Sequence, residues 1–228
     1  MYIAACIFSV FCSLILPLGC ALALCIRKRT LIRPLLLGAA CFTVFQLFIR
    51  LPILQLVLPK MAWFALMSAA QPLLYCSFLG VTAGLFEELG RYIVMALFMK
   101  KRLSAAAGIG FGLGHGGIEA VLLVGINSAA ALFMAPMAEP GMILAGGVER
   151  LSAMLMHVAW SVLVMKSLRD RKPLLLLWAV LGHTLVDIFA AWALYMALPV
   201  WGIEAALMLC ALWAFIFIKK EYEKEKMP

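Results

Sequence analysis

Charge is scarce in this sequence. Of 228 residues only 13% are charged, while 66% are hydrophobic. A water-soluble domain of this length would leave too much of that apolar surface wet, so a soluble globular fold is excluded. Lipid is the solvent that suits such a composition, and lipid requires backbone polar groups to be satisfied within the chain. Period-2 alternation is also missing from the long apolar runs, which favours helices over a β-barrel. No CxxC pair occurs. The seven cysteines (Cys6, Cys12, Cys20, Cys25, Cys41, Cys76 and Cys210) fall inside apolar runs, where they read as small packing residues. No basic stretch precedes the first apolar run, so a cleaved signal peptide is not expected. Internal repeats and low-complexity linkers are absent. The expectation is therefore one integral membrane domain over residues 1–228, with its motif-bearing core at about 80–190.

The net charge of +8 raises the question of nucleic acid, and its placement answers it. Fifteen of the 19 Lys and Arg residues fall in four clusters: Arg27, Lys28, Arg29 and Arg33; residues 100–102; Lys166, Arg169, Arg171 and Lys172; and Lys219, Lys220, Lys224 and Lys226. The clusters sit at the ends of apolar runs, as the positive-inside bias requires. A nucleic-acid face would be continuous and interleaved with polar and aromatic residues. Nucleic acid is therefore not an expected partner; the lipid bilayer is.

A crossing takes about 20 apolar residues. Reading between the clusters gives seven crossings, near 3–26, 35–58, 72–99, 103–128, 148–166, 173–195 and 199–218. This is an all-α, polytopic bundle of the plasma membrane. With the N-terminus outside, all four basic clusters and the C-terminus are cytoplasmic. Gln71-Pro72 is expected to break the third apolar run into a short interfacial or re-entrant piece and a long helix. The Pro- and Gly-interrupted segment 129–147 is expected to be an outer loop dipping into the interface.

Against this apolar background a few ionisable residues stand out, and ionisable groups within crossings mark function by default. Glu87, Glu88 and Arg91 lie in the third crossing, and His115 and Glu119 in the fourth. His157 lies in the fifth, and His183 and Asp187 in the sixth; all three histidines of the chain are in this set. At a rise of 1.5 Å per residue, Glu88 lies roughly 18 Å from Lys100 and His115 roughly 20 Å from Arg102. By the same rise His157 is roughly 14 Å from Lys166 and His183 roughly 17 Å from Lys172. Four helices thus place titratable groups at one level near mid-bilayer. A lone buried histidine is ordinarily a packing residue, but chance would scatter eight such residues. Arg50 and Glu204 are weaker cases, equally readable as structural polar contacts or as side chains snorkelling to the interface.

Residues three or four apart share a helix face. Glu87 and Glu88 both reach Arg91, His115 pairs with Glu119, and His183 with Asp187. Successive residues point about 100° apart, so one of the two glutamates is expected to face water. Such a set can hydrolyse with an activated water, bind a metal, or move protons. Cysteine and serine are missing from the main motifs, which disfavours a thiol or hydroxyl nucleophile. HExxH is missing too, so zinc ligands would have to converge from separate helices, with His115, His157, His183 and Glu88 as candidates. A proton- or cation-coupled transporter uses the same kind of cluster and is the alternative, although the paired broken helices of many transporters are absent.

The succession EExxR, FxxxHxxxE, a histidine in the next helix and then HxxxD resembles the CAAX-protease and bacteriocin-processing superfamily of intramembrane proteases. Within it the chain is most similar to the YhfC-like branch, related to PrsW-type proteases, over roughly residues 80–190. The resemblance implies hydrolysis of a peptide bond in a membrane-associated substrate, with water as nucleophile. It implies water activation by Glu87 and Glu88, ion pairing by Arg91, and oxyanion or acid roles for His115 and His183, with Glu119, His157 and Asp187 supporting. EExxR is one residue shorter than the EExxxR of CAAX proteases, and His157 matches the PrsW-like pattern alone. The superfamily includes enzymes described as glutamic, needing no cofactor, and as metalloproteases, for which zinc is the expected ion.

Overall fold

A computed structural model describes residues 1–100, 103–134 and 138–226. Lys101 and Arg102 of the second basic cluster, and 135–137 of the expected outer loop, lie outside the described residues. Among the described residues seven helices are long and apolar enough to cross a membrane: α1 (Tyr2–Arg27), α2 (Arg29–Lys60), α4 (Pro72–Phe98), α5 (Ala105–Ala131), α6 (Pro140–Arg169), α7 (Pro173–Tyr195) and α8 (Val200–Lys224). A short helix, α3 (Ala62–Ala70), precedes α4. No strand occurs among the described residues, and the chain is a multi-pass membrane protein.

The helix starts follow from local chemistry. Pro72, Pro140 and Pro173 each open a helix, where a missing N–H costs nothing. The break expected at Gln71-Pro72 is the joint between α3 and α4. Ser104 caps α5 by accepting the Ala107 N–H at 3.1 Å. Several spans run past their expected limits, α2 from Arg29 to Lys60 among them, and two of these extensions change the expected picture. α6 begins at Pro140, so residues 140–147 form its first turns and the expected loop is shorter than 129–147. A proline in the first turn starts a helix as readily as it ends one. α8 continues to Lys224, carrying the basic tail cluster on helix.

α6 is the axis of the bundle. α5 and α8 pack along it, α2 packs on α5, and α4 packs on α7. Glycine sets these distances. A methyl added at Gly114 of α5 would sit 1.9 Å from the Leu35 carbonyl oxygen of α2. One added at Gly112 would sit 2.5 Å from the Val158 Cα of α6. α5 therefore presents bare backbone to both neighbours, the small-residue packing that holds helices together where no hydrophobic effect drives them. Two apolar layers result. Cys41, Met95, Met99, Ala107, Phe111, Val164, Met165 and Ala179 form one, on the side of the basic clusters. Met156, Ala159, Ala193, Ile203, Leu207 and Ala211 join α6, α7 and α8 in the other.

A candidate active site at mid-bilayer

All eight residues singled out by sequence converge between these layers. Glu87, Glu88, Arg91, His115, Glu119, His157 and His183 are buried; Asp187 is partly exposed. Glu87 is the hub. Its Oε1 accepts Gln46 Nε2–H at 3.1 Å. Its Oε2 lies 3.0 Å from His115 Nε2, 3.4 Å from Arg91 Nη2, and 3.9 Å from both His157 Nδ1 and His183 Nε2.

Glu88, one residue on, faces a different set. It is paired with Arg91 Nη1 and lies 2.7 Å from His183 Nδ1. A carboxylate only accepts, so His183 carries its proton on Nδ1 and turns Nε2 toward Glu87 and toward Asp187, 3.7 Å away. The Trp160 indole lies flat on the His183 ring, with centroids 4.2 Å apart and planes 3° from parallel. That contact fixes the ring plane. Glu88 thus holds the histidine, and Glu87 faces the open space.

That space is a cavity of about 110 Å³ with room for several waters. Gln46, Glu87, Glu119, His157, Trp160 and His183 line its inner part. Glu149, Arg150, Asp187, Ala190 and Leu207 line the rest. On α6 and α7 these outer residues all lie on the side of the histidines away from the basic clusters. The apolar layer containing Met95 and Val164 lies on the other side.

One expected pairing is rearranged. Glu119 shares a face with His115, yet its Oε2 lies 2.6 Å from His157 Nε2, and its Oε1 accepts Arg150 Nη1–H at 2.8 Å. The glycines of α5 are the cause: a methyl at Gly116 would sit 3.0 Å from His157 Cβ, so α6 reaches Glu119 at contact range. Gln46, Arg150 and Trp160 escaped the sequence reading. Arg50 was visible but unassigned; it binds Gln46, Thr82 and the Leu79 carbonyl.

Among the described residues, Glu87, His115, Glu119 and His157 offer one ligand atom each within 4.8 Å of one another. Two imidazoles and two carboxylates are donors that zinc takes. His115 Nδ1 is buried without a hydrogen-bond partner, as a ligand atom would be, and Glu119 Oε2 meets His157 Nε2, another ligand atom of the same group, at 2.6 Å. The set fits a divalent ion on donor type and spacing. Arg91 Nη2, 2.7 Å from His157 Nδ1, would have to withdraw for His157 to ligate through Nε2. A neutral ring that accepts at one nitrogen carries its proton on the other. Of the ligands expected from sequence, His115 and His157 fall in this group, joined by Glu87 and Glu119. His183 and Glu88 are engaged with each other.

A profile of the family described as YhfC intramembrane metalloprotease matches residues 12–145 and 137–208. The chain is 32% identical to a protein of Bacillus subtilis (strain 168) described as "Uncharacterized membrane protein YhfC", in an alignment covering 51% of this chain and 56% of that one. The chain thus spans about half the length of the curated relative it matches. No solved structure matches it significantly.

Proposed function

The chain belongs to the YhfC intramembrane metalloprotease family, and from that premise we propose that it hydrolyses a peptide bond of a membrane-associated protein inside the mid-bilayer cavity. Glu87 carries this reading. It is a buried carboxylate that lines a water-sized cavity and lies within 3.9 Å of two histidines there. In the reaction Glu87 takes a proton from a cavity water, and the water oxygen attacks the peptide carbonyl carbon. Glu87 passes that proton to the free Nε2 of His183, and His183 hands it to the departing amine as the C–N bond breaks. Glu88 keeps the His183 ring in the tautomer that leaves Nε2 free for this transfer. Arg91, shared between Glu87 and Glu88, offsets the charge of two adjacent carboxylates in a medium where neither could stand alone.

His115, His157 and Glu119 would hold the family's metal ion, two imidazoles and one carboxylate being a ligand set of catalytic zinc. Bound there, the ion supplies a Lewis acid for the carbonyl and a lower pKa for water. Glu87, the remaining member of the group, then serves as the base beside it.

New N-termini in membranes from cells expressing the native chain, Glu87→Gln or Glu88→Gln test this. The expected result is a set of cleavage sites near membrane segments of other proteins that appears with the native chain and vanishes with Glu87→Gln. Identical N-termini in native and Glu87→Gln membranes, at equal amounts of folded protein, would overturn it. Flux of protons or cations through reconstituted vesicles, lost with the same substitution, would point to the transporter reading instead.

A further inference from the structure

Arg50 and Gln46 have no part in the chemistry just described, and their geometry is unusual for a lipid-embedded helix. Both are 8% exposed. Both lie in Thr43–Arg50, where α2 widens into π-type turns. Such turns are frequent at functional sites, where they push side chains out of the regular helical register.

Arg50 is anchored at three points. Its Nε donates to Thr82 Oγ1 at 3.2 Å, Nη2 to the Leu79 carbonyl at 2.7 Å, and Nη1 to Gln46 Oε1 at 3.1 Å. Two of the three anchors belong to α4, the helix that carries Glu87. A guanidinium only donates, so Gln46 must turn its carbonyl oxygen toward Arg50. Its amide N–H then has one direction left, and it donates to Glu87 Oε1.

We infer that Arg50 and Gln46 form a positioning relay: Arg50 fixes which way the Gln46 amide points, and the amide ties down Glu87 Oε1 so that Oε2 faces the histidines and the cavity. The inference rests on Glu87 being the base. Without the tie the carboxylate could swing onto Arg91 and close a tighter ion pair, withdrawing from the water it must deprotonate. Because Arg50 is fixed to the backbone of α4 itself, the relay keeps its aim if α2 and α4 shift together.

The experiment measures appearance of the new N-termini, and the melting temperature in detergent, for five full-length variants. Gln46→Met removes the amide, while Gln46→His can still accept from Arg50 and donate to Glu87. Arg50→Lys removes the fork. Thr82→Val removes one anchor of Arg50 without touching Gln46, and so controls for lost stability. Glu87→Gln reports on the base itself. Cleavage is expected to fall roughly 10- to 100-fold in Gln46→Met, the worth of one hydrogen bond to a charged group. It should fall by about tenfold in Arg50→Lys. In Thr82→Val it should stay within about threefold at a similar loss of melting temperature, and Gln46→His should recover most of what Gln46→Met loses. Cleavage that tracks melting temperature across the four relay variants overturns the relay, as does native cleavage in Gln46→Met. Cleavage that survives Glu87→Gln overturns the underlying assignment of the base. If Gln46→Met does not accumulate folded, Arg50→Lys against Thr82→Val decides by the same criterion.

Discussion

The protein has two polar layers built from the same side-chain types, and they are wired differently. At the basic end ion pairs and caps tie the helices together in discrete contacts. Lys166 Nζ lies 2.6 Å from Glu221 Oε2. Glu225 accepts the Ala105 N–H that opens α5 at 2.7 and 2.8 Å and also pairs with Arg169. Arg33 donates at 3.0 Å to the Phe98 carbonyl that ends α4. At mid-bilayer one carboxylate, Glu87, is shared among residues of α2, α4 and α5. Glu88 Oε2, Arg91 Nε and His115 Nδ1 are nevertheless buried without a hydrogen-bond partner. A layer that only held helices together would have its charged groups satisfied, as Glu221 and Glu225 are at the basic end. Crowding together with unsatisfied atoms is costly in a low-dielectric interior, and it marks groups kept for reaction or for a ligand.

The contrast can be broken most sharply by Glu87→Gln, which keeps size and removes the base. Cleavage is expected to fall by about 10²–10⁴-fold with little change in melting temperature, read from the N-termini in membranes. Stripping the purified protein with a zinc chelator comes next. Cleavage should drop toward the level of Glu87→Gln and return with added zinc. Glu119→Gln should lower the zinc retained per chain, measured by elemental analysis. Native cleavage after full stripping would leave Glu87 to act on water without an ion.

Gly84→Ala should have a smaller effect that joins structure to activity. The added methyl would lie 2.3 Å from Thr184 Oγ1 and 2.9 Å from the Val180 carbonyl. α4 and α7 must then part, drawing Glu88 away from His183. A loss of about 1–3 kcal/mol of stability is expected, with cleavage reduced more than melting temperature alone explains. The smallest effect belongs to the basic end. Glu225→Gln should cost about 0.5 kcal/mol and leave cleavage unchanged, since it weakens one cap and one exposed pair.

The crossings were legible because apolar length and charge clusters are properties of the chain alone. The eight site residues were legible because an ionisable side chain within an apolar run is conspicuous. Gln46 was not, because a neutral amide in such a run carries no comparable signal, and π-type turns in α2 displace it from the face that regular spacing assigns. Arg150 was missed for another reason. The span holding it was expected to begin at 148, which made it an end residue, whereas α6 begins at Pro140 and carries Arg150 well inside. Glu119 was assigned to the histidine on its own face. Its partner on α6 depends on how closely Gly112 and Gly116 let two backbones approach, and a single helix cannot reveal that.

The apolar layer of Met95, Met99, Val164 and Met165 has a consequence for acid–base supply. It lies between the cavity and the basic ends, while Glu149, Arg150 and Asp187, which also line the cavity, stand on the opposite side of the histidines. If the cavity hydrolyses peptide bonds as proposed, its protons would exchange with the compartment on the side of Glu149 and Asp187. Turnover would follow the acidity of that compartment and ignore the other, a vectorial insulation that belongs to the packing of four apolar side chains and to none of the reacting groups.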